Sequence, residues 1–236
     1  ILNRIMTAEE LQNHPHLQPA PGMSVAQSLR QTMLPVMLPS GYGHGRYLPL
    51  DAFETFFCRQ SIKSLMKELG PPGMTPDDLR NRVHQVHDGG DIENMPSRRR
   101  ILAILTMMDQ LPHIDHFIEH AVWDHDLPID VSSTEAAGFM ADWDENDRVL
   151  FSTYQKRVMV PFFDFKSHKL LSYTFNEDTQ LPWCKYERKS VGMSGVVHQI
   201  EIHPSHHNFV GVKVSTFTAN TPFAFMNSKL TCLLGL

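Results

Sequence analysis

Cysteine is scarce in this chain, and the three present, Cys58, Cys184 and Cys232, are an odd number at wide, unpatterned spacing. Such spacing supports neither a disulfide framework nor a CxxC metal site, so a reducing, cytoplasmic setting is the expectation. Long apolar runs are missing too. None approaches the roughly 18 residues that a membrane helix requires, so no membrane partner is expected. A basic surplus is the third absence: 21 Lys and Arg stand against 26 Asp and Glu, a formal charge of −5. Affinity for nucleic acid comes largely from cations that displace counterions from phosphates, so nucleic acid is not an expected partner either.

What remains is the composition of an ordinary globular protein, with 42% hydrophobic and 20% charged residues in 236, enough for one large domain or two small ones. The first 50 residues mix short helical patterns with Pro and Gly punctuation, with Thr7–Glu10 and Ser24 as helix caps. From Asp51 to Leu69, Phe53, Phe56, Phe57, Leu65 and Met66 recur at helical spacing, which predicts one core helix stopped by Gly70, Pro71 and Pro72. Thr75, Pro76, Asp77 and Asp78 announce another helix with Leu79, Val83 and Val86 on its buried face. The stretch Ile101 to Met108 has almost no polar side, so this helix is expected at the centre of the fold. Beyond Pro112 a second helix presents Ile114, Phe117, Ile118, Ala121 and Val122. Arg98 to Arg100 stand where a helix N-terminus would prefer acidic groups, and read as a solvated or partner-facing patch.

Two stretches carry residue types with chemistry. The first is "HFIEH". His116 and His120 at i and i+4 share a helical face, with Glu119 beside them in the HxxEH order of inverted zinc peptidases and His113 and His125 nearby. Catalytic zinc needs three protein ligands and an open fourth position, and no downstream glutamate-bearing helix supplies the third. The polar shoulder of an amphipathic helix accounts for the same histidines, so a zinc hydrolase on His116, Glu119 and His120 is a minor alternative.

The second is "SVGMSGVVHQIEIHPSHHNFVGVKV", from Ser190 to Val214. It reads as a strand, a turn at Gly192 and Gly195, a returning strand, a loop, and a third strand with Lys213 inside it. Glycines let backbone close over phosphates, an apolar residue after the turn can pack on a base, and a lysine can reach phosphate oxygens. A plain β-meander with a surface lysine fits the same residues.

The residues "LPW" (181 to 183), "GMSGVV" (192 to 197), "IHPSHHNF" (202 to 209) and "VGVKV" (210 to 214), with "RRRILAILTMMDQ" and "IDHFIEHAVWDHDLPI" upstream, resemble filamentous-fungal protein-kinase-like proteins in which a helical region precedes the catalytic domain. The resemblance implies vestigial nucleotide-binding roles for Gly192 and Gly195 as loop glycines, Val197 as the base-packing valine and Lys213 as the phosphate-contacting lysine. Ser190 stands in place of the first loop glycine, Ser194 in place of the aromatic at the loop tip, and Gly211 in place of the alanine before the lysine. Phosphoryl transfer also needs a catalytic-loop Asp and Asn and a metal-binding Asp after the lysine, and residues 214 to 236 hold no Asp or Glu at all.

The expected fold class is α+β: a mainly helical N-terminal module followed by a small antiparallel sheet resembling a partial kinase N-lobe. The expected organisation is a helical regulatory or interaction module over 1–150, a connector over 151–180, and a partial kinase-like small lobe with an atypical tail over 181–236. The function this implies is that of a regulatory or interaction region of a Ser/Thr protein-kinase-like protein, truncated before the catalytic and metal-binding loops. Its expected partner is another protein or the remainder of a kinase domain. No cofactor is required, with ATP and magnesium relevant only if a downstream kinase domain completes the site. A freestanding helical adaptor is the alternative from another class.

Overall fold

The computed structural model describes residues 22–41, 45–88, 97–164, 171–175, 178–192, 195–208, 217–219 and 230–234. The fold is α+β and mainly helical, as the composition and periodicity lead one to expect. The chain forms two compact units: Ile1–Met37 with Asp51–Met159, and Leu38–Leu50 with Val160–Leu236. The division between them thus falls after a helix that the expected boundaries cut short, and the second unit includes a segment from the N-terminal part.

In the first unit, helices run at α1 (Val25–Val36), α2 (Leu50–Phe56, whose first residue belongs to the second unit), α3 (Arg59–Leu69), α4 (Pro76–His87), α5 (Arg99–Met108), α6 (Ile114–Glu119), α7 (Thr134–Phe139) and α8 (Glu145–Val158). The local start signals act as the spacing predicts. The Ser24 hydroxyl accepts the Gln27 amide at 3.0 Å, and the Thr75 hydroxyl accepts the Asp78 amide at 3.1 Å, each in a reciprocal capping box. The expected Thr7 cap lies outside the described residues.

The single helix expected from Asp51 to Leu69 is two. It breaks at Cys58, whose φ of −69° and ψ of 161° are extended. Phe56 and Phe57 both bury fully on the way through, and Arg99 Nε donates to the freed Phe57 carbonyl at 2.9 Å. A tertiary contact therefore compensates a break that periodicity alone does not reveal.

Helix α5 is the centre of this unit. Every residue from Ile101 to Met108 is buried, and α5 packs on α8 through residues such as Phe151. At about 1.5–3 kcal/mol for each large apolar side chain removed from water, this helix is the main hydrophobic contributor. Asp109 ends it in the left-handed conformation (φ 63°), which short Asp side chains tolerate. Helix α6 is shorter than the pattern suggests. It stops at Glu119, and Ala121 is exposed with φ 53°.

The start of α5 overturns the reading of Arg98 to Arg100 as a solvated patch. Arg98 is 2% exposed. Its Nε donates to the Val122 carbonyl at 2.6 Å, its Nη1 to the Gln85 carbonyl at 2.8 Å, and its guanidinium lies 3.3 Å above the Trp123 ring. The acid that a helix N-terminus prefers comes from elsewhere: Asp124 accepts the Arg100 and Ile101 amides, each at 3.0 Å, and the Ser97 hydroxyl at 2.6 Å. Burial pushes the Asp124 carboxyl up from its usual range, against these three donors. Burial likewise pulls Arg98 down to about 10, against the attraction of Asp124 and Asp126, which leaves it charged at neutral pH.

Helix α8 ties down the loops before it. Buried Gln155 bonds both the amide and the carbonyl of Ile129, at 2.9 and 3.0 Å, and Arg148 donates to the Val131 and Met140 carbonyls at 3.1 and 2.8 Å. No helix among the described residues is long and apolar enough to cross a membrane.

The second unit is β-rich. Short strands β1 (Leu38–Pro39) and β2 (Arg46–Tyr47) pair antiparallel, β3 (Leu171–Phe175) pairs with β7 (Leu230–Leu234), and β4 (Trp183–Gly192), β5 (Gly195–Ile202) and β6 (Phe217–Ala219) form an antiparallel sheet in that order. Trp183, Ile200 and Ile202 supply its buried side, with Leu181 and Phe163 beside them in the core. Gly41 needs its lack of a side chain, because its amide donates to the Trp183 carbonyl at 2.6 Å and a Cβ would meet that oxygen at 2.7 Å.

Replacing Asp124 by Ala strips two helix amides and a buried arginine of their acid. The expected loss is about 2–4 kcal/mol of unfolding free energy in urea titrations. A loss below about 1 kcal/mol would show that water or another group takes over the clamp.

Candidate functional site

Strand alternation builds the glycine hairpin. Tyr186 lies opposite Ile200 and Trp183 opposite Ile202, on the side that is buried, while Lys185 opposite Glu201 and Glu187 opposite Gln199 take the other. Lys185 Nζ bonds the Glu187 carboxylate at 2.8 Å on that polar side. Register shifts fall between Trp183 and Lys185 and between Arg188 and Ser190. The first lets Trp183 and Tyr186 share a side, with their rings stacked at 5.3 Å, and Tyr186 stacks in turn on His198 at 4.4 Å.

Gly192 and Gly195 are brought together as the last rung of this hairpin. Glycine suits a rung that enters a two-residue turn, because it adopts conformations closed to other residues. Residues 193–194, at the turn itself, lie outside the described residues. Val197 pairs by its backbone with Ser190 on β4 and Thr218 on β6. Lys213 and the strand expected over 210 to 214 lie outside the described residues.

The HxxEH residues lie at the end of a helix of six residues. His120 has left helical geometry (φ −90°, ψ 8°), and its Nδ1 bonds the His116 carbonyl at 2.9 Å. His116 Nδ1 bonds the Phe139 carbonyl at 3.3 Å, and Glu119 is exposed. Both imidazoles are thereby engaged with backbone. Among the described residues no group of three or more His, Cys, Asp or Glu is arranged to hold a metal ion.

A third cluster lies in "HPSHH", within the "IHPSHHNF" stretch, where the sequence assigns no role to its histidines. Pro204 opens a short 3-10 turn, Pro204–His206, directly after β5 and His203. His203 and His206 are 1% and 2% exposed, and Tyr47 is 0% exposed. The ring of Tyr47 meets both in edge-to-face contacts, 6.3 Å from His203 and 5.7 Å from His206. His203 Nδ1 bonds the Ser205 hydroxyl at 2.8 Å, and the His203 amide donates to the Pro182 carbonyl at 2.7 Å. The signal in the sequence is a proline shortly before two histidines, which starts a tight turn and tucks His206 inward. Nothing local points to Tyr47 as the neighbour.

No family model, curated protein or solved structure matches this chain.

One titratable contact is open to test in the helical unit. His113 packs against Trp143 at 5.4 Å and His116 at 5.2 Å. Burial, and after it the charge of His116, holds its imidazole below the ordinary value, while Asp147 and Asp142 oppose this. A base with a depressed folded pKa contributes stability above its unfolded value, about 6.5, and loses it as pH falls towards the folded one. The melting temperature should therefore fall more steeply between about pH 7.5 and 5.5 in the wild type than in His113→Gln. Equal slopes would mean that His113 does not titrate differently in the folded state.

Proposed function

We propose that this chain is a regulatory or interaction region of a protein-kinase-like protein, and that it transfers no phosphate by itself. The observation that supports the reading most is the rung joining Gly192 to Gly195, in a sheet whose third member pairs with β5. A glycine-edged hairpin is the element with which kinases cover nucleotide phosphates. The same 236 residues contain neither an HRD-type catalytic loop nor a DFG segment after that hairpin, so the anions that hold magnesium and take up the acceptor proton are not provided by this stretch.

A helical adaptor is the second reading, favoured by α8. Val149 and Leu150 on that helix are 55% and 39% exposed. Adjacent exposed apolar residues of this size suit a protein partner.

Titration of the ¹⁵N-labelled chain with MgATP separates the two. The kinase-like reading expects amide shifts at Gly192, Gly195 and Val197, with a Kd of about 1 mM or weaker and a clear loss in Lys213→Ala. Unchanged glycine amides would leave the adaptor. Radiolabel passing from ATP to any polypeptide would overturn the non-catalytic part of the proposal.

A further inference from the structure

His206 joins two segments of the second unit through both of its ring nitrogens. Its Nε2 accepts the Leu50 amide at 3.1 Å, and its Nδ1 faces the Pro161 carbonyl at 3.0 Å. A backbone amide only donates and a carbonyl only accepts, so the two partners assign the tautomer: the proton is on Nδ1 and Nε2 is bare. The backbone on either side is engaged as well, because the Phe163 amide donates to the His206 carbonyl at 2.8 Å and the His206 amide to the His203 carbonyl at 2.9 Å. With 2% of its surface exposed, the ring cannot turn to water without opening this contact.

We infer that His206 is a pH-sensitive latch that holds the Leu38–Leu50 segment onto the Val160–Leu236 part of the unit and releases it on acidification. A second proton must go onto Nε2. It would put an N–H against the Leu50 N–H, turning an attraction into a repulsion, and would leave that amide without its acceptor in a part-buried site. Tyr47 and His203 present ring edges and faces, and a protonated His203 at a ring distance of 6.0 Å would add repulsion. Two carboxylates lie close in the chain to its partners: Asp51, next to Leu50, accepts the Ala52 amide at 2.9 Å, and Asp164, on the segment beside the ring, is bonded by the Asn208 amide. His207 is the next residue in the chain, Arg46 is exposed on β2, and Cys184 is exposed on β4. A neutral buried imidazole that must charge is a general route to loss of structure in acid.

The experiment is amide hydrogen exchange on the full chain between about pH 7.5 and 5.5, with rates converted to protection factors to remove the intrinsic pH effect. The Leu50 amide should lose about tenfold or more in protection over this range. His207→Gln should keep the loss, and His206→Phe should show low, pH-independent protection. A Leu50 amide equally protected throughout, a loss that persists in His206→Phe, or one that vanishes in His207→Gln would overturn the latch. Should His206→Phe not fold, the wild-type ring decides. Two-bond ¹H–¹⁵N spectra at pH about 7.5 should show the His206 proton on Nδ1, and a proton on Nε2 would overturn the assignment.

Discussion

The carboxylate of Asp124 at the start of α5 is the contact on which the helical unit depends. A helix buried on every side has no polar stripe to mark its outward face, so its rotation and sliding position are chosen by side-chain shape and by its ends. The ends contribute because buried backbone donors and acceptors have to be met at fixed points. Asp124 accepts two of the first amides of α5 and the Ser97 hydroxyl. The turn that carries Asp124 is itself bound, its amide donating to the Ser97 carbonyl at 2.8 Å. Position, rotation and direction of α5 are thus set at one end by a residue well beyond the helix in sequence.

The arginines beside it look misplaced only when assigned to α5. Arg98 serves α4. Its amide donates to the Val86 carbonyl at 2.8 Å and its Nη1 to the Gln85 carbonyl, both in the last turn of that helix. A cation belongs at the negative end of a helix dipole, and here the end of α4 and the start of α5 meet at the same residue. The cost of burying the guanidinium is offset by carbonyls and by the face of Trp123. Arg99 performs a similar service where α2 gives way to α3, by meeting the Phe57 carbonyl and the Glu54 carboxylate.

Whether a feature was legible in the sequence depends on the distance of its partner. Ser24 and Thr75 cap amides three residues away, so those starts could be read directly. The apolar run Ile101 to Met108 announces its own burial, and the glycine hairpin of β4 and β5 closes over a few residues. The break at Cys58 could not be read, because its compensation is an arginine 42 residues from the carbonyl it meets. Nor could the membership of Leu38–Leu50 in the second unit, where the Ser40 hydroxyl bonds the Leu181 carbonyl 141 residues away. The candidate nucleotide residues divide in the same way: Gly192 and Gly195 are neighbours by local pairing, whereas a role for Lys213 depends on what lies between it and them.

The histidines extend this to chemistry. Fourteen of them is a high count, and His116, His120 and His206 each engage a backbone group. A neutral imidazole is one of few side chains that offers a donor and an acceptor on opposite edges of a rigid ring. It can therefore satisfy one amide and one carbonyl from different segments at once, which a carboxylate or an ammonium cannot do. A primary amide side chain has both functions, but they project from one carbon and fork to the same side. At His206 the partners approach from Leu50 and Pro161, in separate stretches of chain, and the ring spans them. The property that makes histidine suitable there also binds that part of the fold to the neutral form of the ring, because the acceptor edge exists only while Nε2 is unprotonated.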